Sequence, residues 1–225
     1  KKKEDKSGVI GASAWGTDLA NILSQKQHVK LKEKKKSVCE NIGKHRENKR
    51  FLPKIKLNKQ INCTTEINNV SECKILFLVI PVQYLSGVLS KLKNLLNEKT
   101  IFVCCSKGLE MNSLKLPSQM VSSIFPKHKI AIISGPNFAA EIAKGLPAAP
   151  AVASKHEEIA KKIANLIKSS TLRPYLSNDI IGSQIAGALK NIYAIASGIV
   201  VGKKYGENAV ASIISRSFAE ITTVA

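Results

Sequence analysis

Acidic residues are scarce in this chain: Asp and Glu number 16 against 35 Lys and Arg, leaving a formal charge of +19. Aromatic residues are scarce too, at 5%, with a single tryptophan. A strongly basic chain suits a polyanionic partner through counterion release and surface attraction. The basic clusters, however, at Lys1–Lys3, Lys34–Lys36, Lys49–Arg50 and Lys161–Lys162, are dispersed along the chain among Ile and Asn. Few rings interleave with them to stack on bases, so a solvated surface is expected and nucleic acid is not the expected partner. The 5 cysteines are odd in number and lack a CxxC pair, and Cys104 and Cys105 are adjacent. Reduced thiols in a cytoplasm are therefore expected, with neither a disulfide framework nor a zinc site. His28, His45, His128 and His156 show no ligand spacing, so no metal site is expected. A secretion signal is missing as well: Glu4, Asp5 and Lys6 follow the first lysines where an apolar stretch would stand.

What is present is a hydrophobic share of 44%, ordinary for a packed domain. At 225 residues the chain fits one large domain, or one domain and part of another. After a basic tail, residues 1–6, Gly8-Val9-Ile10 reads as a buried strand. A glycine-containing turn follows, then helical spacing of Leu19, Ala20, Ile22 and Leu23. A second strand is expected near His28–Leu31, and a polar helix over 37–50. The runs Ile75–Ile80 and Thr100–Cys105 are short and continuously apolar, as parallel strands buried on both faces are. Between them Leu85, Val88, Leu89, Leu92, Leu95 and Leu96 mark a helix over 84–96, completing a βαβ unit. Lys129–Ser134 adds a strand and His156–Ser169 an amphipathic helix. Alternation of this kind predicts an α/β fold with a mostly parallel, doubly wound sheet of Rossmann type over residues 7–177. From residue 178 only helices are expected, Ile180–Gly198 and Glu207–Ala225, the start of an all-helical domain over 178–225. Ile185–Gly202 approaches membrane-span length. Lys190 and Asn191 near its middle argue for a buried helix of a soluble protein, and no transmembrane segment is expected.

Four motifs sit where such a sheet binds ligands. Gly11-Ala12-Ser13-Ala14-Trp15-Gly16 has the G-x-G-x-x-G spacing with Ser13 in the middle glycine place. A strand-to-helix turn of this type aims backbone N–H groups and a helix N-terminus at a dinucleotide pyrophosphate. About 20 residues on, Glu33 suits a free ribose 2′-hydroxyl, whereas Lys34, Lys35 and Lys36 suit a 2′-phosphate, so NAD and NADP both remain open. Lys107-Gly108-Leu109-Glu110 follows a buried strand, as ligand-binding residues of open sheets do, and a solvated turn lysine is the alternative. Ser134–Glu141 also ends a strand, and Asn137 can contact a ligand or cap the helix from Phe138. Lys190 shares a helix face with the small residues Ala186, Gly187, Ala194 and Ser197. Burial, or a second cation such as Lys107, would lower its pKa and make the neutral amine a general base; otherwise the side chain snorkels to solvent.

Taken in this order, the segments GASAWGTDLA, NKRFLPKIKL, VIPVQYL, SKGLE, ISGPNFAAEIAKGLPAA, SNDIIGSQIAGALKNIYAIASGIVVG and GENAVASIISRSFAEI cover almost the whole chain. The chain resembles the NAD(P)-dependent glycerol-3-phosphate dehydrogenases, especially the bacterial type. The resemblance implies a Rossmann domain and a helical domain with chemistry between them. The reaction it implies is hydride transfer interconverting dihydroxyacetone phosphate and glycerol 3-phosphate, a precursor of phospholipids. Lys190 matches the catalytic lysine, and Lys107 the lysine touching both substrate and cofactor. Gly135 and Asn137 match substrate-contacting positions. Ala14, Trp15, Ala139, Lys34, Phe51 and Tyr84 fall on cofactor-contacting positions, alongside the turn residues Gly11, Ser13 and Gly16. A homodimer is implied by the family alone. Ser13 departs from the family's second glycine, and the chain stops before the family's downstream GLGD segment and phosphate-gripping Arg-Asn pair, which marks it as a truncated form. A non-catalytic dinucleotide-binding remnant and a basic nucleic-acid-binding protein are the rival readings.

Overall fold

The computed structural model describes residues 6–224. Of the basic tail, only Lys6 is among them. Along the chain come β1 (Ser7–Ile10), α1 (Ala14–Leu23), β2 (Val29–Lys32), α2 (Lys36–His45), β3 (Ile61–Thr64), β4 (Ile75–Leu78), α3 (Leu85–Leu92), β5 (Ile101–Cys104) and α4 (Pro117–Ile124). They are followed by β6 (Ile130–Ser134), α5 (Ala139–Ile142), β7 (Ala151–Ala153), α6 (Glu157–Ile167), β8 (Tyr175–Ser177), α7 (Ile180–Gly202) and α8 (Glu207–Val224). The sheet runs β3-β2-β1-β4-β5-β6-β7-β8. Every pair is parallel except β6 with β7, where Ile132 faces Ala153. β1 lies between β2 and β4, so the chain winds outward on one side, returns, and winds outward on the other. That switch point opens a crevice at the carboxyl ends of β1 and β4.

Alternation of side chains across the sheet explains the unbroken apolar runs. Ile75 and Phe77 of β4, with Ile101 and Val103 of β5, point into a core with Leu19, Leu23, Leu31 and Ile163. Leu76, Leu78, Phe102 and Cys104 point the other way, against Leu85, Leu89, Met120 and Val121. Both faces are covered, so neither needs polar residues. β2 departs from this pattern: Val29 and Leu31 are buried while Lys30 and Lys32 stay partly exposed, as the lysine-rich strand requires.

Several expectations are corrected. The helix expected over 84–96 begins as a tight 3₁₀ turn at Val82–Tyr84 and ends at Leu92, where Leu95 N–H turns back to the Leu92 carbonyl at 3.0 Å. Cys39 and Cys63 form a disulfide across α2 and β3, against the reduced-thiol expectation; Cys73, Cys104 and Cys105 are free and buried. The pair is 24 residues apart in sequence but has Cα atoms 5.1 Å apart, because α2 packs on β3. The expectation of a buried helix over 185–202 also fails. α7 is long and apolar enough to cross a membrane, yet only 6% of its most apolar window is buried. The sheet and α8 cover one flank, while Ile192, Ile195, Ile199 and Val201 lie exposed on the other.

Asp18, on α1, is 2% exposed and its Oδ2 has no hydrogen-bond partner. Burial lifts its carboxyl from 3.8 to about 7. The folded state thus holds a proton the unfolded chain releases, so stability is fullest below about pH 4 and falls as pH rises toward 7. The loss amounts to about 4 kcal/mol. Asp18→Asn is expected to flatten this slope in urea unfolding between pH 4 and 7 and to be the more stable form at pH 8. The Cys39–Cys63 bond predicts that Cys39→Ser loses about 3 kcal/mol without reductant, from its loop closure, and little when both proteins are reduced. An equal difference in both conditions would mean that the bond is not formed in solution.

Candidate functional site

The turn from β1 to α1 is shaped by close backbone approach. Gly11 has φ +109°, and a Cβ there would collide with the Val79 carbonyl; one at Gly16 would collide with the Gly11 carbonyl. The glycine spacing therefore serves packing of α1 against the strands. Ser13, exposed in the middle place, N-caps α1 by accepting from Gly16 N–H at 3.3 Å. The first-turn N–H groups of Ala14 and Trp15 have no intrahelical carbonyl to meet and face the crevice end of the sheet. Glu33, just beyond β2, bridges this turn: its Oε2 accepts from Ala12 N–H at 3.2 Å and its Oε1 from Lys35 N–H at 3.0 Å. Lys34 is exposed on the same rim.

Asn48 is the residue that ties the next segment to this turn, and nothing in its polar surroundings in the sequence announced it. Its side chain is 1% exposed. Its Nδ2 donates to the Ala12 carbonyl at 3.0 Å and to Thr17 Oγ1 at 2.8 Å, while its Oδ1 accepts from Phe51 N–H at 3.2 Å. Phe51 is thereby held beside the turn, half-buried against the core, with the Arg50 guanidinium 5.2 Å from its ring centre. Tyr84, 70% exposed, stands at the end of the turn after β4. Its neighbour Gln83 fastens that turn to the loop after β5, donating to the Leu109 carbonyl at 2.9 Å and accepting from Met111 N–H at 3.0 Å.

The loop after β5 is clamped at its root. Ser106 Oγ donates to the carbonyls of Leu78 and Ile80, at 3.3 and 2.6 Å. Lys107 follows directly. The Trp15 indole N–H interacts with the Cys105 thiol, two residues before it, a minor counterweight to the burial that pushes that thiol up. On the other side α7 is pinned by Gln184, 4% exposed, which accepts from Ser118 N–H at 2.9 Å and donates to Ser118 Oγ at 2.7 Å and the Ile180 carbonyl at 3.0 Å. A polar residue inside an apolar helical pattern was its only signal. Asp179 caps the same helix through Gly182 N–H at 2.8 Å. One turn beyond Gln184, Gly187 lies against β6: an added Cβ would sit 2.6 Å from Ser134 Oγ and 3.9 Å from Lys107 Cγ.

This approach brings Lys190 and Lys107 into hydrogen-bonding contact. Lys190 Nζ also donates to the Gly135 carbonyl at 3.1 Å and lies 5.8 Å from the Phe138 ring centre. Burial is the largest effect on both amines and lowers both below the ordinary lysine range; for Lys107 the Lys190 cation adds to it. The Lys107–Lys190 hydrogen bond works in the opposite direction for Lys190. Burial outweighs it, so the Lys190 amine is still held below the ordinary lysine range. Close by in sequence, Asn137 has both amide atoms buried without a hydrogen-bond partner. Its expected capping role is not realised, since Phe138 occupies the N-cap position of α5 and no side chain closes that cap. Ala139 is buried at the start of α5, which packs on α1. Lys107, Lys190 and Gly135 thus meet at the ends of β5 and β6, and Asn137 lies two residues past Gly135 in the same loop. Gly11, Ser13, Ala14 and Gly16 form the adjoining turn. Lys34, Phe51 and Tyr84 stand around its rim rather than at the lysine pair. Donor N–H groups on the turn, the paired lysines and an unsatisfied buried amide in the loop after β6 fit a dinucleotide and an oxygen-rich substrate.

Comparison with known proteins places this architecture. The family described as NAD-dependent glycerol-3-phosphate dehydrogenase matches with its N-terminal part over residues 6–160 and its C-terminal part over 179–225. Glycerol-3-phosphate dehydrogenase (NAD(P)+) of Parvibaculum lavamentivorans is 40% identical over 96% of this chain and 66% of its own length. That of Caulobacter vibrioides is 40% identical over 98% of this chain and 67% of its own. The crystal structure of the Coxiella burnetii glycerol-3-phosphate dehydrogenase superposes with a TM-score of 0.91 at 30% identity, over 97% of this chain and 68% of that one. The chain thus spans about two thirds of the length of these relatives. With both family segments matched in order and the same fold around the paired lysines, the chain belongs to the NAD-dependent glycerol-3-phosphate dehydrogenase family.

Proposed function

We propose that this protein interconverts dihydroxyacetone phosphate and glycerol 3-phosphate with NAD or NADP, supplying glycerol 3-phosphate for phospholipid synthesis in the cytoplasm. The paired Lys107 and Lys190 carry the reading, because burial lowers both amines below the ordinary lysine range and so eases formation of the neutral amine that takes up an alcohol proton. Lys190 is the general base: its neutral Nζ takes the proton of the C2 hydroxyl in oxidation and, as the ammonium, returns it to the carbonyl oxygen in reduction. Lys107, beside it, donates an N–H to that oxygen as negative charge develops there. Asn137, whose amide has unmet capacity, and Gly135, which orients Lys190, hold the substrate. Ala14, Trp15, Ala139 and the turn Gly11–Gly16 hold the dinucleotide, with Phe51, Tyr84 and Lys34 at its margin. The nicotinamide supplies or accepts the hydride. The same reading assigns residues 7–177 to the dinucleotide-binding domain and 178–225 to the start of a helical substrate-binding domain, after a basic tail over 1–6. It also includes a homodimer.

The decisive experiment follows oxidation of NADH and NADPH by dihydroxyacetone phosphate at the nicotinamide absorbance. Lys190→Ala is expected to lower turnover by roughly 10³-fold while NADH binding, read by fluorescence, changes little. Equal loss of both, or retained turnover, would overturn the assignment of Lys190. Because the lysine pKa values are lowered, oxidation of glycerol 3-phosphate should rise with pH through a midpoint below 10.5 as the neutral amine forms, and reduction should fall over the same range. Gly187→Ala should lose about 10²-fold in turnover by lifting α7 from Ser134, with NADH binding again retained.

A further inference from the structure

We propose that the Cys39–Cys63 disulfide is a reversible redox site through which a dithiol lowers the protein's affinity for its dinucleotide; the affinity part of this inference rests on the dehydrogenase reading above. Both sulfurs lie where a reductant reaches them. Cys63 is on β3, the edge strand of the sheet, Cys39 faces it from α2, and both residues are partly exposed. Cys73, Cys104 and Cys105 are buried instead, and burial pushes their thiols up, which disfavours the reactive thiolate. A disulfide in a reducing compartment is usually transient and redox-sensing, and exposed bonds are the labile ones. Exchange is thus directed to the pair at the sheet edge.

What the bond holds is α2, and the flanks of α2 hold the turn after β1. Of the 10 residues of α2 only Val38 and Ile42 are buried, so its apolar grip on the sheet is small. Its C-cap residue Arg46 adds hydrogen bonds to the carbonyls of Asn58 and Ile61. Both flanks converge on Ala12. Ahead of α2, Glu33 accepts from Lys35 N–H at 3.0 Å and from Ala12 N–H at 3.2 Å; behind it, Asn48 donates to the Ala12 carbonyl at 3.0 Å. β3 joins the same frame through Thr64, next to Cys63, whose carbonyl accepts from Glu33 N–H at 3.0 Å. The cross-link therefore braces the segments that fix both polar backbone atoms of Ala12, one residue before Ser13. A dithiol opens it: one thiolate attacks a protein sulfur to form a mixed disulfide, and the second thiol displaces the protein thiol. Two electrons and two protons pass to the protein and the dithiol leaves as a disulfide; a disulfide oxidant reverses the exchange. With the bond open, α2 rests on Val38, Ile42 and Arg46, and the turn has more freedom to lose when a dinucleotide binds.

The test compares the wild-type protein treated with glutathione disulfide and with dithiothreitol. Alkylation after unfolding, read by mass, is expected to tag three cysteines in the oxidised form and five in the reduced form. NADH and NADPH titrations, read by nicotinamide fluorescence, are expected to show binding weakened about threefold or more on reduction and restored on reoxidation. The double variant Cys39→Ser, Cys63→Ser is expected to bind as the reduced wild type does in either condition. Five tagged cysteines after oxidation, equal affinities of the two forms, or a response to dithiothreitol that persists in the double variant would overturn this proposal and leave the dehydrogenase reading standing. So would unfolding of the reduced wild type at the assay temperature, since the bond would then be a structural staple. Binding of neither nucleotide by either form would overturn both.

Discussion

The site depends on one close approach, that of α7 to the end of β6. Two lysines repel each other, and nothing in either loop or helix would bring them together unaided. What does so is the absence of a side chain at Gly187, which lets the helix settle against Ser134. Gln184, one turn earlier, locks the helix against α4 through two hydrogen bonds to Ser118. The electrostatic penalty of the pair is then carried by packing and by bonds remote from it. It is relieved locally by the Gly135 carbonyl, and it makes either ammonium easier to deprotonate than a solvated lysine. A strained charge state is therefore a consequence of the fold and is available for chemistry.

The same logic runs through the strand ends. The core on both faces of the sheet makes β1, β4, β5 and β6 rigid, and the side chains that matter sit in the loops just past them. Ser106 and Asn48 extend that rigidity into loops by bonding backbone carbonyls at and just past the strand ends. Both act on the ends of β1 and β4, where the sheet's winding reverses, so small displacements of either loop would be felt in the crevice.

Much of this was legible in advance where a pattern had length. The continuously apolar β4 and β5, the spacing on α1 and α6, and the position of Lys107 after β5 all followed from periodicity and topology. β4 and β5 are only four residues each but lie in longer apolar runs, whereas β3, β7 and β8 have no such run around them to reveal a strand. The Cys39–Cys63 contact was hidden because counting cysteines says nothing about which helix packs on which strand. Asn137 could be read equally as a cap or a ligand contact, and only its unpartnered amide distinguished them. Asn48 and Gln184 were invisible for a related reason: their value lies in long-range partners, 36 and 66 residues away. The exposed flank of α7 marks another limit, since an apolar sequence specifies that a surface seeks cover and not where the cover lies.

Ser13 gives the dinucleotide turn a different thermodynamic character from an all-glycine one. Its hydroxyl already occupies the Gly16 N–H and places a partial negative charge at the positive end of the α1 dipole. An arriving pyrophosphate that sought this donor would exchange one hydrogen bond for another rather than fill a vacancy, so the enthalpy released there is smaller. In return, the serine restricts the backbone of the empty loop more than glycine would, and less entropy remains to be surrendered on association. Recognition at this turn is thus weighted toward a loop already in its bound shape.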